Sequence, residues 1–105
     1  MSVQEMIDEM TRRIINRFAP ERVILFGSHG RAEGGPDSDV DLLVVMNVEG
    51  SKRKKAVEIA VAVDDIDLPK DIIVTTPDDY AWRKEITGTI EYPAAHEGRV
   101  LYAKP

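Results

Sequence analysis

Two aspartates flank a valine in Ser38-Asp39-Val40-Asp41-Leu42, and a third opens a similar apolar run, Asp71-Ile72-Ile73-Val74-Thr75. If both runs are strands, successive side chains alternate faces. Asp39 and Asp41 then project from one side, and Val40, Leu42 and Val44 from the other, where they can be buried. Carboxylates held side by side repel each other, which raises the cost of ionising both. A divalent cation between them removes that cost and turns the pair into a ligand set. Asp71 is followed by alternating Ile73 and Thr75, so it too can face the open end of the sheet, provided its strand lies beside the second. Three carboxylates with two Mg²⁺ ions are what in-line nucleotidyl transfer requires: one ion activates the attacking oxygen, the other steadies the leaving pyrophosphate. The three aspartates are expected close together, at the C-terminal end of a mixed sheet.

Upstream stands Gly27-Ser28-His29-Gly30-Arg31. A glycine where a strand ends permits close backbone approach. The Ser28 hydroxyl and the free amides of a following helical turn can bind phosphate oxygens. Arg31, one turn on, would lie near the same phosphates or pair with a carboxylate of the site. Each residue also has a plainer reading. Asp37-Ser38-Asp39 can be an Asx-type turn, and Asp71 a surface residue starting an edge strand. His29 reads as an exposed turn residue, and Tyr80 and Trp82 as core or partner surface rather than a base-stacking platform.

The elements that must position these residues follow from periodicity and caps. Ser2-Val3-Gln4-Glu5 has the form of a capping box. Val3, Met6, Ile7, Met10, Ile14 and Phe18 then recur at helical spacing, giving a helix over 3–18 that Pro20 ends. Val23-Ile24-Leu25-Phe26 is a wholly apolar run, as expected of a buried strand. The stretch from Gly27 to Ser38 is loop with room for one helical turn, and Asp39–Met46 is a second buried strand. A helix starts near Ser51, with Ala56, Ile59, Ala60 and Val63 on one side. Residues 71–75 make a third strand, and Thr76-Pro77-Asp78-Asp79 starts a helix reaching about Ile86. A short helix runs from Thr89 or Ile90 to Glu97 with Gly98 as its C-cap, and Arg99–Tyr102 reads as an edge strand. The expectation is an α/β fold over residues 1–105, one domain with a small mixed β-sheet flanked by helices.

Composition narrows the chemistry. The chain of 105 residues is 43% hydrophobic and 31% charged, enough for one core and against disorder. With no cysteine and two histidines, disulfides and thiolate sites are excluded, so a metal must be held by oxygen, which points to magnesium or manganese. A net charge of −5 argues against stable nucleic-acid binding. The one basic cluster, Lys52-Arg53-Lys54-Lys55, reads as a solvated first helical turn. No apolar run approaches the ~20 residues of a membrane span and no signal-peptide pattern is present, so a cytoplasmic protein without membrane contact is expected.

Gly-Ser, ten intervening residues, then Asp-x-Asp resembles the signature of the polymerase-β-type nucleotidyltransferases, above all their minimal (MNT-type) branch, which includes antitoxins encoded beside HEPN toxins. The resemblance runs from about Val23 to Tyr102 and takes in Lys70-Asp71-Ile72-Ile73-Val74 and the tail from Ile90-Glu91-Tyr92 through Glu97–Tyr102. It departs at Ala32, where the family often has glycine. The resemblance implies phosphate binding by Gly27 and Ser28, metal binding by Asp39 and Asp41, and Asp71 as third metal ligand and general base. It implies ATP or another nucleoside triphosphate as donor, and AMP transfer to a hydroxyl of a HEPN-type partner that the chain neutralises. Two other functions are weighed: a non-catalytic, nucleotide-binding antitoxin acting by direct contact, and transfer to a small molecule. The triad argues against the former, and the absence of an acceptor domain against the latter.

Overall fold

The computed structural model describes residues 1–35 and 38–105, so the Asp37 part of the Asx-turn reading lies outside it. Helix α1 (Val3–Phe18) starts on the expected capping box: Ser2 Oγ accepts from the Glu5 amide at 3.1 Å, and Glu5 Oε1 accepts from the Ser2 amide at 3.0 Å. It stops at Ala19, which takes the left-handed conformation one residue before Pro20. Strand β1 (Arg22–Phe26) leads into a single helical turn, α2 (Gly27–Gly30). Strand β2 (Val40–Val45) precedes helix α3 (Lys52–Ala62), which is capped by the Ser51 hydroxyl. Strand β3 (Lys70–Thr75) then meets helix α4 (Pro77–Arg83), capped by Thr76; helix α5 (Glu91–Glu97) and strand β4 (Arg99–Ala103) follow.

The sheet is mixed, in the order β3-β2-β1-β4, with β1 antiparallel to both neighbours and β2 parallel to β3. Alternation along the strands divides the core in two. Val23, Leu25, Val40, Leu42, Val44, Ile72 and Val74 pack with Ile7, Met10 and Ile14 of α1 and Ile59 of α3. On the opposite face Ile24, Phe26, Leu43 and Val45 pack with Ala94 of α5, and Ile73 and Tyr80 lean on them. The aspartates have the parity of Leu43 and Ile73, so they belong to the second face. Tyr80 is thus partly core, while Trp82 is 57% exposed.

One helix end and the conformation of one cap differ from expectation. Helix α4 ends at Arg83 rather than near Ile86, and residues 84–90 form turns in which the Ile86 amide donates to the Arg83 carbonyl. Gly98 does close α5, but in an extended conformation (φ −81°, ψ 171°). Space is the reason for glycine there: a Cβ would stand 2.3 Å from the Ala94 carbonyl oxygen and 2.9 Å from that of Leu25.

One buried polar link was not foreseen. Glu91 is 3% exposed; it accepts from the Thr75 hydroxyl at 2.7 Å and from Arg83 Nε at 3.1 Å, joining α5 to β3 and α4. Burial pushes its carboxyl up, but hydrogen bonds from Thr75, its own amide and Arg83 outweigh that and hold it below the ordinary value. The stability it contributes is complete above the ordinary glutamate pKa and drains as pH falls through the lowered one. Glu91→Ala should cost about 1–3 kcal/mol at neutral pH, through the Thr75 hydroxyl left without an acceptor and the freed Arg83. Denaturant melts at neutral and acid pH check this; an equal cost at both would mean lost packing alone.

Candidate active site

Asp41 pairs across the sheet with Asp71 on one side and with Phe26 on the other. In adjacent parallel strands, residues in register point to the same face at a strand spacing of about 4.8 Å, so the two carboxylates are neighbours. Asp39 lies just before β2 and is exposed, as is Asp71, whereas Asp41 is half-buried between strands. The rim they occupy corrects one expectation. It is the N-terminal end of β2 and β3 and the C-terminal end of β1, because β1 runs opposite to its neighbour.

Gly27 closes the site from the β1 side. Its φ of +69° is left-handed, and a Cβ on it would lie 2.3 Å from Asp41 Oδ2 and 3.3 Å from Cγ. The Asp41 carboxylate therefore rests directly on the bare Gly27 Cα. The turn behind it is held by Arg31 N–H to the Gly27 carbonyl and Glu33 N–H to the Ser28 carbonyl. Phe26 supplies no side-chain cap to α2, so the first amides of the turn have no partner within it. Gly30 is needed for packing, since a Cβ there would meet the Leu25 carbonyl oxygen at 2.7 Å. Ser28 is half-buried on this turn.

Arg31 ion-pairs with Glu33 at 3.1 Å and Glu97 at 3.4 Å, bridging α2 to the end of α5 rather than meeting an aspartate of the rim. His29 is less exposed than its turn position suggested. Its Nε2 lies 3.2 Å from the Ser38 carbonyl, and its ring covers Gly34, where a Cβ would fall 2.6 Å from Nδ1. It braces the segment entering Asp39. Nothing in the sequence signalled this, because the contact spans a loop without periodicity.

The electrostatics of the rim are one-sided. Burial, then the charges of Asp71 and Asp39, push the Asp41 carboxyl above its ordinary value, and a protonated His29 works the other way. Among the described residues no lysine or arginine pairs with Asp39, Asp41 or Asp71. Hard oxygen donors with mutual repulsion and no protein counter-charge are the donor chemistry of a divalent cation. Among the described residues no three His, Asp or Glu side chains stand close enough to enclose an ion as they are placed, so the carboxylates would have to draw together around it. A cavity of about 350 Å³ lined by Ile7, Leu25, His29 and Arg99, among others, lies behind the turn on the α1 face. The aspartate rim is on the other face, open at two of its three carboxylates.

The domain has counterparts among known proteins. The family model of the nucleotidyltransferase domain matches residues 7–95, and the chain belongs to that family. A crystal structure of a candidate nucleotidyltransferase from Sulfolobus solfataricus superposes with a TM-score of 0.59 at 20% identity, covering 95% of this chain and 79% of that one. A toxin-antitoxin crystallised with AMP-PNP superposes with a TM-score of 0.53 at 17% identity, covering 98% and 75%. Both are similar in fold. No curated protein matches. Among the described residues no helix is long and apolar enough to cross a membrane.

Proposed function

We propose that residues 1–105 form one nucleotidyltransferase domain that moves AMP from ATP to a hydroxyl of a partner protein, a HEPN-type toxin that it thereby neutralises. The observation that carries the chemistry is the Asp41–Asp71 pair in register, uncompensated by any described cation, with Gly27 bare against Asp41. The fold shared with a toxin-antitoxin crystallised with AMP-PNP supports the nucleotide and the kind of partner.

Asp39, Asp41 and Asp71 would hold two Mg²⁺ ions, with Mn²⁺ able to replace them. When bound, the ions supply charge to the attacking oxygen and to the leaving pyrophosphate. Gly27 lets the triphosphate approach the backbone, and the Ser28 hydroxyl donates to a phosphate oxygen. Asp71, exposed at the rim, accepts the proton of the acceptor hydroxyl. The hydroxyl oxygen bonds to the α-phosphorus as the α–β anhydride bond breaks, and pyrophosphate departs. Arg31 can leave its exposed pairing with Glu33 and Glu97 to meet a phosphate, because such pairs are weak.

Thermal melts test the nucleotide and metal. A ligand that binds only the folded state stabilises it by about 2.7 kcal/mol at a hundred times its Kd. For a chain of this size that is a rise in Tm of roughly 10 °C or more. Mg²⁺ with ATP should give that rise, Mg²⁺ alone less, and ATP with EDTA least. Three identical melting curves would contradict the reading. Mass gain of one AMP on the partner distinguishes transfer from neutralisation by contact alone.

A further inference from the structure

Helix α3 carries apolar side chains on two sides. Ile59 and Val63 face the core, yet Val57 and Val61 point outward and are 57% and 70% exposed. They lie one turn apart on one stripe, continued at its start by Lys54 and Arg53. Past the helix end at Ala62, the Asp64 amide donates to the Val61 carbonyl at 3.3 Å, a tighter turn that sets Asp64 over Val61. The charges run against the helix dipole. Basic residues fill the first turn with no acid among them, and the last turn holds no base. Shallow hollows flank the stripe, one beside Arg17, Phe18 and Ala62, the other beside Ser51 and Arg53.

Pairing within the chain sorts these charges. Lys52 is taken by Asp79, Lys55 by Glu58 and Asp65 by Arg13. Arg53, Lys54 and Asp64 are exposed and, among the described residues, make no ion pair.

We infer that this stripe is a self-association surface on which a second copy of the chain lies antiparallel, α3 against α3. The pattern is its own complement. The Val57–Val61 pair and the Lys54–Asp64 pair are both centred on residue 59, so a two-fold axis there sets Val57 against Val61 of the second copy. The same axis sets Lys54 against the second copy's Asp64. An isologous contact requires this reciprocity, in which residue i meets j and j meets i. The basic start of each helix then lies beside the acidic end of the other, which offsets the adverse dipole placement at both. Because α3 covers the sheet face opposite the aspartates, both active-site rims stay open in the dimer. The inference does not rest on the proposed activity.

Sedimentation velocity on the full chain tests it. Dimer should accumulate over roughly 10 µM to 1 mM, the range open to a contact smaller than a standard interface. Lys54→Glu alone and Asp64→Lys alone should each be monomeric, because each sets like charges against each other. An equimolar mixture of the two variants should dimerise, since the mixed pair carries opposite charges at both contacts. Both substituted positions are exposed, so circular dichroism should report unchanged folds. Wild type monomeric at the highest concentration would overturn the inference and leave the stripe to a different protein. Single variants that dimerise like wild type, or a mixture that stays monomeric, would overturn it equally.

Discussion

Asp41→Asn is expected to lower nucleotidyl transfer by on the order of 10³-fold, the loss of several kcal/mol of charge stabilisation at about 1.4 kcal/mol per decade. The fold should survive, because asparagine keeps the volume against Gly27 and between the strands. Stability of the metal-free protein should move the opposite way from activity. The Asp41 carboxyl is pushed up by burial, then by Asp71 and Asp39, so in the folded state its ionised form is disfavoured. A carboxylate with a raised folded pKa makes the native state bind more protons than the unfolded one, and stability then falls as pH rises through that window. Asparagine removes the penalty. The variant should match wild type in acid and exceed it by about 1 kcal/mol at neutral pH in EDTA, as replacements of strained functional residues do. With Mg²⁺ and ATP the order should reverse, because the variant has lost a ligand. Melts of both proteins with EDTA and with Mg²⁺-ATP decide it. A variant less stable in both conditions would make Asp41 a structural residue, and the rim would lose its central carboxylate. If instead transfer is lost and a toxin partner is still neutralised equally well, binding by contact accounts for the antitoxin role.

The parts of this arrangement legible in the sequence were those fixed by short-range rules. Alternation put Val40, Leu42 and Val44 on one face and Asp41 on the other, and the caps at Ser2, Ser51 and Thr76 started three helices where side-chain oxygens could reach free amides. The pairing of β2 with β3, which sets Asp71 beside Asp41, was legible only as a condition, since no local signal orders the strands of a sheet. The aspartates open their own strands, and what brings the Gly-Ser turn to that rim is the antiparallel direction of β1, which no local signal gives. Long-range contacts left no trace at all. The Glu91–Thr75 bond, the His29 brace on Ser38 and the Arg31–Glu97 bridge join residues 9 to 66 positions apart, and no local pattern pairs them. The family signature suggests the role proposed for the Gly-Ser turn, and the structure adds that Gly27 is the surface on which Asp41 rests.

That contact makes Gly27→Val the substitution with the largest expected effect on stability and nucleotide affinity together. Two costs add. A β-branched residue at φ +69° sits in a region that L side chains avoid, and the new Cβ would fall 2.3 Å from Asp41 Oδ2, far inside contact distance. Either the turn shifts or the carboxylate swings away, and the sum should reach about 2–4 kcal/mol. Both ways out damage the site, because the shift moves the amides and hydroxyl of Ser28 and the swing breaks the Asp41–Asp71 pair. Nucleotide affinity should therefore fall by more than the destabilisation alone explains, measured by titration under conditions where the variant is fully folded. Gly88 separates the two costs. Its φ is +93°, but a Cβ there would meet nothing within 4 Å. Gly88→Ala carries the backbone strain without the collision, so it should lose stability by about 1 kcal/mol and keep its affinity for Mg²⁺-ATP. Gly27→Ala, with the same Cβ collision but no branch, should fall between wild type and Gly27→Val in stability and lose most of its affinity. Equal affinity for ATP in wild type and Gly27→Ala would show that the turn does not approach the phosphates.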